Sequence, residues 1–132
     1  MKFDHVGIAV KSIDQVLTIY TRIGEFELKR TEVAGQKAKI AMLRAGETSV
    51  ELLEPTSEDS SLAKFLREKG EGLHHIAFAV DDIEGAMKEL SGQGFRFIYD
   101  KPAEGKFGSR VNFIHPKSAG GVLVELTQNT QE

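Results

Sequence analysis

The sequence predicts an α+β fold in which two fused βαβββ modules form a curved mixed sheet, and two repeated motifs support this prediction. Residues 4–17 read DHVGIAVKSIDQVL and residues 74–87 read HHIAFAVDDIEGAM, at an offset of 74 − 4 = 70 residues. Residues 50–52 and 124–126 both read VEL, at an offset of 124 − 50 = 74 residues. Because the two matches occur in the same order at nearly the same offset, the chain is interpreted as two copies of one module.

The first copy shows the order of elements that such a module requires. Residues 3–10 are apolar and β-rich, which predicts a strand. Ser12 followed by Gln15 has the spacing of a capping box, and apolar residues then recur at helical spacing until Gly24. The rest of the copy predicts three further strands, near residues 26–33, 36–45 and 47–54.

The second copy repeats this order, and a helix is expected between the copies. Asp59 or Ser60 is expected to cap that helix, which ends at Gly70. The elements of the second copy are a strand at 74–80, a helix at about 82–92 and strands near 95–99, 109–115 and 121–128. The expected single domain covers residues 1–132, with module one at about 1–56, the linker helix at about 59–70 and module two at about 72–128.

The composition excludes several classes of function. The chain has 132 residues, of which 40% are hydrophobic and 28% charged, as in an ordinary globular domain. It has no cysteine, so any metal would need nitrogen and oxygen ligands. A net charge of −3 argues against a nucleic-acid partner, and no apolar run reaches the roughly 20 residues that span a bilayer. No signal peptide precedes the first strand, so a cytoplasmic location is expected.

Four polar side chains are predicted to lie on the inner faces of four strands. Alternate side chains of a strand point to opposite faces, so His5 and His75 lie opposite the bulky residues of their strands. Glu51 and Glu125 lie opposite their aliphatic neighbours for the same reason. Buried carboxylates are costly unless they are paired or metal-bound, and this donor set would balance the charge of one divalent ion. Imidazole and carboxylate together favour zinc, cobalt, nickel, manganese or iron(II) over calcium.

The remaining polar residues are assigned structural or surface roles. A lone histidine in a strand is more often structural than a ligand, and only the repetition of the His and Glu pair reverses that weighing. His74 points away from His75 and is interpreted as structural, whereas His115 is interpreted as a loop residue or as a partner of a ligand. The acidic residues expected to be solvated are Glu47, Glu54, Glu58 and Asp59.

Several motifs of the chain resemble those of the vicinal oxygen chelate superfamily, whose members fuse two βαβββ modules around a metal. The motifs are DHV at 4–6, VELLEP at 50–55, GLHHIAF at 72–78 and HPKS at 115–118, which leads into GGVLVEL at 120–126. Within that superfamily the chain is similar to the methylmalonyl-CoA epimerases. Glyoxalase I is similar in fold, but its last strand usually follows a DPDG-like turn rather than the HPKS and GGVLVEL run found here. The final motif therefore favours the epimerases. The resemblance covers nearly the whole chain.

The resemblance implies a fold, a cofactor and a reaction. It implies a glyoxalase-like sheet around one divalent ion (Co, Zn, Mn or Ni), with His5, Glu51, His75 and Glu125 as its ligands. It also implies an isomerase that interconverts the 2R and 2S forms of methylmalonyl-CoA through removal and return of the α-proton. The substrate would be an acyl-CoA, and the enzyme is expected to be a homodimer.

Two functional roles and two alternatives follow from the same resemblance. Inversion needs bases on both faces of a planar intermediate, and Glu51 and Glu125 are the candidates. The third strand reads KIAM at 39–42, without the carboxylate that some family members carry there. Lys117 and Ser118 are candidates for contacting the substrate carboxylate or CoA. The alternatives are glyoxalase I, which uses the same proton chemistry, and a metal-free small-molecule-binding protein of the same fold.

Overall fold

The computed structural model describes residues 1–130, and these residues form a mixed α and β structure. The chain divides into two compact units. We call His5–His74 the N-terminal unit, and Met1–Asp4 together with the chain from His75 onward the C-terminal unit. The predicted α+β class is confirmed. The last two positions of the expected domain, residues 131 and 132, lie outside the described residues.

The N-terminal unit contains a four-stranded mixed sheet and two helices. Its strands lie in the order β2-β3-β4-β1, with β1 and β4 parallel and the other neighbours antiparallel. The elements are β1 (Lys2–Ala9, which lies in this unit from His5 onward), α1 (Ile13–Ile23), β2 (Glu27–Val33), β3 (Ala38–Ala45), β4 (Thr48–Pro55) and α2 (Ser61–Lys69). The strands and both helices predicted for this part of the sequence are present within about two residues of their expected ends.

The C-terminal unit repeats the arrangement with shorter outer strands. Its strands lie in the order β5-β8-β7-β6, and β5 and β8 are parallel as β1 and β4 are. The elements are β5 (Gly72–Ala79, which lies in this unit from His75 onward), α3 (Ile83–Gly92), β6 (Ala103–Glu104), β7 (Arg110–Ile114) and β8 (Val124–Gln128). Both units therefore follow the order βαβββ.

The strand expected near residues 95–99 is wrong as a full strand. Its pairing is limited to an isolated bridge between Phe97 and Ile114 and to the two backbone hydrogen bonds beside it. The edge strand of this unit is the two-residue β6 instead. The last strand begins at Val124 rather than at 121, because Gly120 and Gly121 hold a turn with φ values of 70° and 93°.

The first helix of each unit begins in the same way. In α1, the Ser12 hydroxyl accepts a hydrogen bond from the backbone N–H of Gln15 at 3.3 Å. The N–H of Ile13 donates to Glu54 at the end of β4, at 2.8 Å. In α3, the N–H of Ile83 donates to Gln128 at the end of β8, at 2.9 Å. Glu54 was expected to be solvated, and that expectation is wrong because its carboxylate satisfies a helix N–H that would otherwise lack a partner.

Ser60, rather than Asp59, caps helix α2. Its hydroxyl accepts from the N–H of Ala63 at 3.0 Å. The Asp59 carboxylate instead accepts two hydrogen bonds from the Lys37 ammonium, at 2.9 and 3.1 Å. A hydrogen bond from Ser57 and the contacts with Lys37 hold the pKa of Asp59 below its ordinary value.

Among the described residues, no helix combines the length and the apolar character that crossing a bilayer requires.

Both faces of the N-terminal sheet are covered, but by different helices. Helix α1 packs on the face that carries Val10, Leu43 and Leu52, in agreement with the predicted bulky face. Burial of a leucine such as Leu52, which is 0% exposed, stabilises the fold by about 1.5–3 kcal/mol. Helix α2 packs on part of the opposite face, where the contacting residues are Ala9, Val33, Ala38, Ile40 and Leu53. This second contact leaves the remainder of that face for polar side chains.

Candidate functional site

In the N-terminal unit, His5 and Glu51 form a buried pair. They lie on the neighbouring parallel strands β1 and β4, where Glu51 is in register with Gly7. Nδ1 of His5 lies 3.2 Å from Oε2 of Glu51, and the two residues are 1% and 2% exposed. Because Gly7 has no side chain, the carboxylate has room beside the strand on which the histidine lies.

In the C-terminal unit, His75 and Glu125 form the equivalent pair. They lie on the parallel strands β5 and β8, where Glu125 is in register with Ala77. Nε2 of His75 lies 2.9 Å from Oε1 of Glu125, and the residues are 4% and 7% exposed. The four residues that the sequence repeat singled out thus form two matching histidine–carboxylate pairs, one in each unit.

The two pairs fit the chemistry of a divalent metal ion. Burial of a carboxylate costs several kcal/mol unless it is hydrogen-bonded, paired or metal-bound. Each pair brings an imidazole nitrogen and a carboxylate oxygen to within 3.2 Å of each other, with cysteine absent from the chain. Nitrogen and oxygen donors of this kind suit zinc, cobalt, nickel, manganese and iron(II). The residues present therefore meet the requirement of the implied cofactor.

An aromatic ring accompanies the pair of the C-terminal unit, and the sequence analysis did not identify it. Phe113 of β7 is in register with Glu125 and meets the His75 ring edge-on, with the ring centroids 5.9 Å apart. Tyr99 in turn meets the Phe113 ring edge-on at 6.1 Å. Strand alternation could have placed Phe113 on the face of Glu125, but no local signal indicates the position of Tyr99.

The third strand of the N-terminal unit carries no acid on the face of Glu51. Met42 is in register with Glu51, and Ile40 is two residues away on the same face. Ile40 is 6% exposed and belongs to the apolar cluster that includes Leu62 of α2. A carboxylate at the position of Ile40 would have to be buried among apolar side chains. The absence of an acid from the third strand, noted in the sequence, therefore agrees with these apolar surroundings.

Lys117 and Ser118 lie in a short 3₁₀ turn at residues 116–118, before the last strand. Nδ1 of His115 accepts from the N–H of Lys117 at 3.1 Å, so this histidine caps the turn. The Ser118 hydroxyl accepts from the N–H of Arg96 at 3.2 Å. Lys117 is exposed. The contact of Ser118 is therefore structural, and a role for either residue in substrate binding stays a prediction.

Comparison with known proteins supplies context for these two pairs. The profile of the Glyoxalase/Bleomycin resistance protein/Dioxygenase superfamily matches residues 4–113. The chain is 35% identical to the mitochondrial methylmalonyl-CoA epimerase of Homo sapiens over 129 residues, covering 96% of this chain and 73% of the human protein. It is 32% identical to the ethylmalonyl-CoA/methylmalonyl-CoA epimerase of Cereibacter sphaeroides, over 96% of this chain and 97% of that protein.

A solved structure extends the similarity to three dimensions. The chain is 37% identical to a variant of the methylmalonyl-CoA epimerase of Streptomyces coelicolor, solved in complex with 2-nitronate-propionyl-CoA. The TM-score is 0.95, and the match covers 99% of each chain. The similarity therefore extends over the strands that carry both histidine–carboxylate pairs.

Proposed function

Since the chain belongs to the Glyoxalase/Bleomycin resistance protein/Dioxygenase superfamily, we propose that it is a metal-dependent epimerase that interconverts the 2R and 2S forms of methylmalonyl-CoA. The observation that carries this proposal is the presence of two buried histidine–carboxylate pairs at equivalent positions of the two units. The full-length similarity to proteins named methylmalonyl-CoA epimerase supports the choice of substrate.

The proposed cofactor is one divalent ion with His5, Glu51, His75 and Glu125 as its protein ligands. The support is that each pair combines nitrogen and oxygen donors and is almost fully buried. A bound ion would supply a Lewis acid that stabilises negative charge on a substrate oxygen during proton removal. Cobalt, zinc, manganese and nickel all suit this donor set, and metal analysis of the purified protein distinguishes them.

The proposed bases are Glu51 and Glu125. The α-hydrogen of methylmalonyl-CoA lies between a thioester and a carboxylate, and its removal leaves a planar carbon. Inversion requires that one group takes the proton from one face and another returns a proton to the opposite face. The two glutamates are proposed for this task because they belong to different units and each is held beside a histidine. The apolar surroundings of Ile40 support the exclusion of a third-strand base.

Contacts with the rest of the substrate and the assembly are also part of the proposal. Lys117 is proposed to attract the substrate carboxylate or a CoA phosphate, because its exposed ammonium lies in the turn that leads into the strand of Glu125. Ser118 would act with it only if its hydroxyl can donate while accepting from Arg96. A homodimer is expected by resemblance, and light scattering tests it by a mass twice that of one chain.

The proposal is tested by two assays run side by side. Purified protein should exchange the α-proton of methylmalonyl-CoA with deuterium from the solvent. It should show little turnover of the glutathione hemithioacetal of methylglyoxal. Removal of metal with a chelator should abolish the exchange, and the added divalent ion should restore it. The reverse substrate preference would assign the chain to glyoxalase I. Binding of small molecules without turnover of either substrate or uptake of metal would support the metal-free alternative.

A further inference from the structure

Asn112 is a fully buried amide in the C-terminal unit whose hydrogen-bonding capacity is completely used. The residue is 0% exposed. Its oxygen accepts from the N–H groups of Tyr99 at 3.1 Å and Phe113 at 2.8 Å. Its nitrogen donates to the carbonyl of Tyr99 at 2.9 Å and to the sulfur of Met87 at 3.4 Å. An asparagine amide has two acceptor sites and two donor hydrogens, so no other side chain of this size reproduces the set.

Two of these bonds join the amide to the backbone of Tyr99 as a neighbouring strand would. Oδ1 and Nδ2 of Asn112 take the places of a strand carbonyl and a strand N–H. The backbone pairing of this segment with β7 ends just before this point, where Ile98 donates to the carbonyl of Phe113 at 2.8 Å. The side chain of Asn112 therefore continues the attachment of the segment by one residue beyond the backbone pairing.

The residue that Asn112 holds is the outer member of a row of three rings. Tyr99 meets Phe113 edge-on at 6.1 Å, and Phe113 meets His75 edge-on at 5.9 Å. Edge-on aromatic contacts of this kind are directional, so the orientation of one ring constrains the next. Tyr99 is 37% exposed. The hydrogen bonds of Asn112 to the backbone of Tyr99 fix the position of its ring against Phe113.

From these contacts we propose that Asn112 is a positioning residue for His75, acting through Tyr99 and Phe113. This inference rests on the proposed function for its catalytic meaning, since a rigid His75 matters most if its ring is a metal ligand. Groups that orient a ligating histidine typically change metal affinity or activity by about 10–100-fold when they are removed. Loss of the two hydrogen bonds between Asn112 and the backbone of Tyr99 should leave His75 able to rotate away from Glu125.

The test uses two variants and two readouts. Asn112→Asp keeps the shape of the side chain but removes both N–H donors. Tyr99→Ala removes the ring and keeps the backbone groups that Asn112 binds. In metal-free protein, both variants should move and broaden the imidazole NMR signals of His75, while those of His5 stay at their wild-type positions. Metal affinity should fall about 10-fold or more in both.

Matched controls separate positioning from a general loss of stability. Met87→Leu removes one partner of the Asn112 amide without touching Tyr99, and Tyr99→Phe keeps the ring. Both should leave the His75 signals and the metal affinity at wild-type values even if the melting temperature falls. Asn112→Asp should add no further loss of metal affinity to Tyr99→Ala, because both act through the same ring.

The outcomes decide the inference separately from the proposed function. Wild-type His75 signals in both folded test variants would overturn the positioning role. If Asn112→Asp does not fold, Tyr99→Ala still tests the row of rings through which Asn112 is proposed to act, and wild-type His75 signals in that variant would overturn the positioning role. If wild-type protein binds no divalent metal, the proposed function fails, and the His75 signals still show whether Asn112 positions the ring.

Discussion

The inner strands of the two units are arranged in the same way, but the outer edges of the units differ. In the N-terminal unit, β2 pairs with β3 over seven residues in a regular antiparallel ladder. In the C-terminal unit, the matching position is filled by a single bridge at Phe97, the amide of Asn112 and the two-residue β6. Yet the parallel inner pairs have the same register, with Glu51 opposite Gly7 and Glu125 opposite Ala77.

This difference indicates which part of the module holds the candidate ligands. The histidine–carboxylate pairs depend on the two parallel strands, so they survive a large change at the edge. On the antiparallel strand beside each glutamate, Met42 is in register with Glu51 and Phe113 with Glu125. The residue that precedes this partner is Ala41 in the N-terminal unit and Asn112 in the C-terminal unit. Where the ladder is complete, an apolar residue suffices at this position. Where it is interrupted, a buried amide replaces the missing backbone pairing.

The largest expected effect comes from removing one histidine from each unit in turn. Purified wild-type protein should hold about one divalent ion per chain, with four protein ligands. His75→Ala and His5→Ala should each lose most of it, because the imidazole supplies one of the proposed donors and its loss leaves the paired carboxylate buried without it. Elemental analysis of protein dialysed against a metal buffer measures the effect.

The adjacent histidine supplies the matched control. His74 lies next to His75 but meets the Phe65 ring edge-on, with the centroids 4.8 Å apart. His74→Ala should therefore retain metal while losing some stability. Equal metal in wild type and in the His5→Ala/His75→Ala double variant would show that the proposed site is wrong. A loss in only one single variant would show that the two units are not equivalent as ligand sources.

A second prediction compares the two glutamates as bases. Glu51→Gln and Glu125→Gln each keep a neutral oxygen donor but cannot accept a proton. Each should slow epimerisation by roughly 100-fold or more, the effect expected for loss of a general base, while metal remains bound. Glu51→Gln should still exchange the α-proton of one substrate epimer with deuterium, and Glu125→Gln that of the other.

Opposite selectivity in this experiment would assign one face of the substrate to each unit. Glu54→Gln is the matched control, because its amide oxygen can still accept from the N–H of Ile13, as Gln128 does from Ile83. It should retain wild-type epimerisation. Near wild-type turnover in Glu51→Gln with metal bound would restrict Glu51 to the role of a ligand, and the second base would lie elsewhere.

The sequence predicted the parts of the fold that local patterns determine. The apolar alternation around His5 and His75 identified β1, β5 and their inner faces, and the repeat identified the glutamates that pair with them. The helices followed from the capping serine and from apolar spacing. The alternation and capping signals lie within a few residues of the features they predict, and the repeat compares two parts of the same chain, so a single sequence is enough to detect them.

The features that escaped prediction depend on contacts between distant residues. Residues 95–99 have strand-like composition, but their backbone pairing with β7 stops at Ile98. The side chain of Asn112, 13 residues from Tyr99, takes the next ladder position. Glu54 looks like a surface acid, although it satisfies an N–H 41 residues away. The ring nitrogen that faces each carboxylate, Nδ1 in His5 and Nε2 in His75, depends on side-chain rotation that composition does not encode.

The smallest expected effect distinguishes two tight turns that precede matching strands. Lys37 before β3 and Phe107 before β7 both have φ of 53°, a left-handed conformation that disfavours residues other than glycine. Phe107→Gly should raise the free energy of unfolding by roughly 0.5–1 kcal/mol, because the exposed ring contributes little packing. Thermal melting should show a rise of about 2–5 °C for a domain of this size.

Lys37→Gly should give a smaller gain than Phe107→Gly at pH 7, because relief of the same strain is partly offset by loss of the exposed hydrogen bonds to Asp59. The pKa of Asp59 is lowered in the folded protein, first by Ser57 and then by Lys37. Its ionised form therefore adds stability above the unfolded pKa, and this stability is lost as the pH falls through the folded pKa. Once the pH has fallen through the folded pKa of Asp59, which lies below the ordinary value of 3.8, Lys37→Gly should approach the gain of Phe107→Gly. Equal gains from both variants already at pH 7 would show that the contact of Lys37 with Asp59 adds nothing to the stability of its turn.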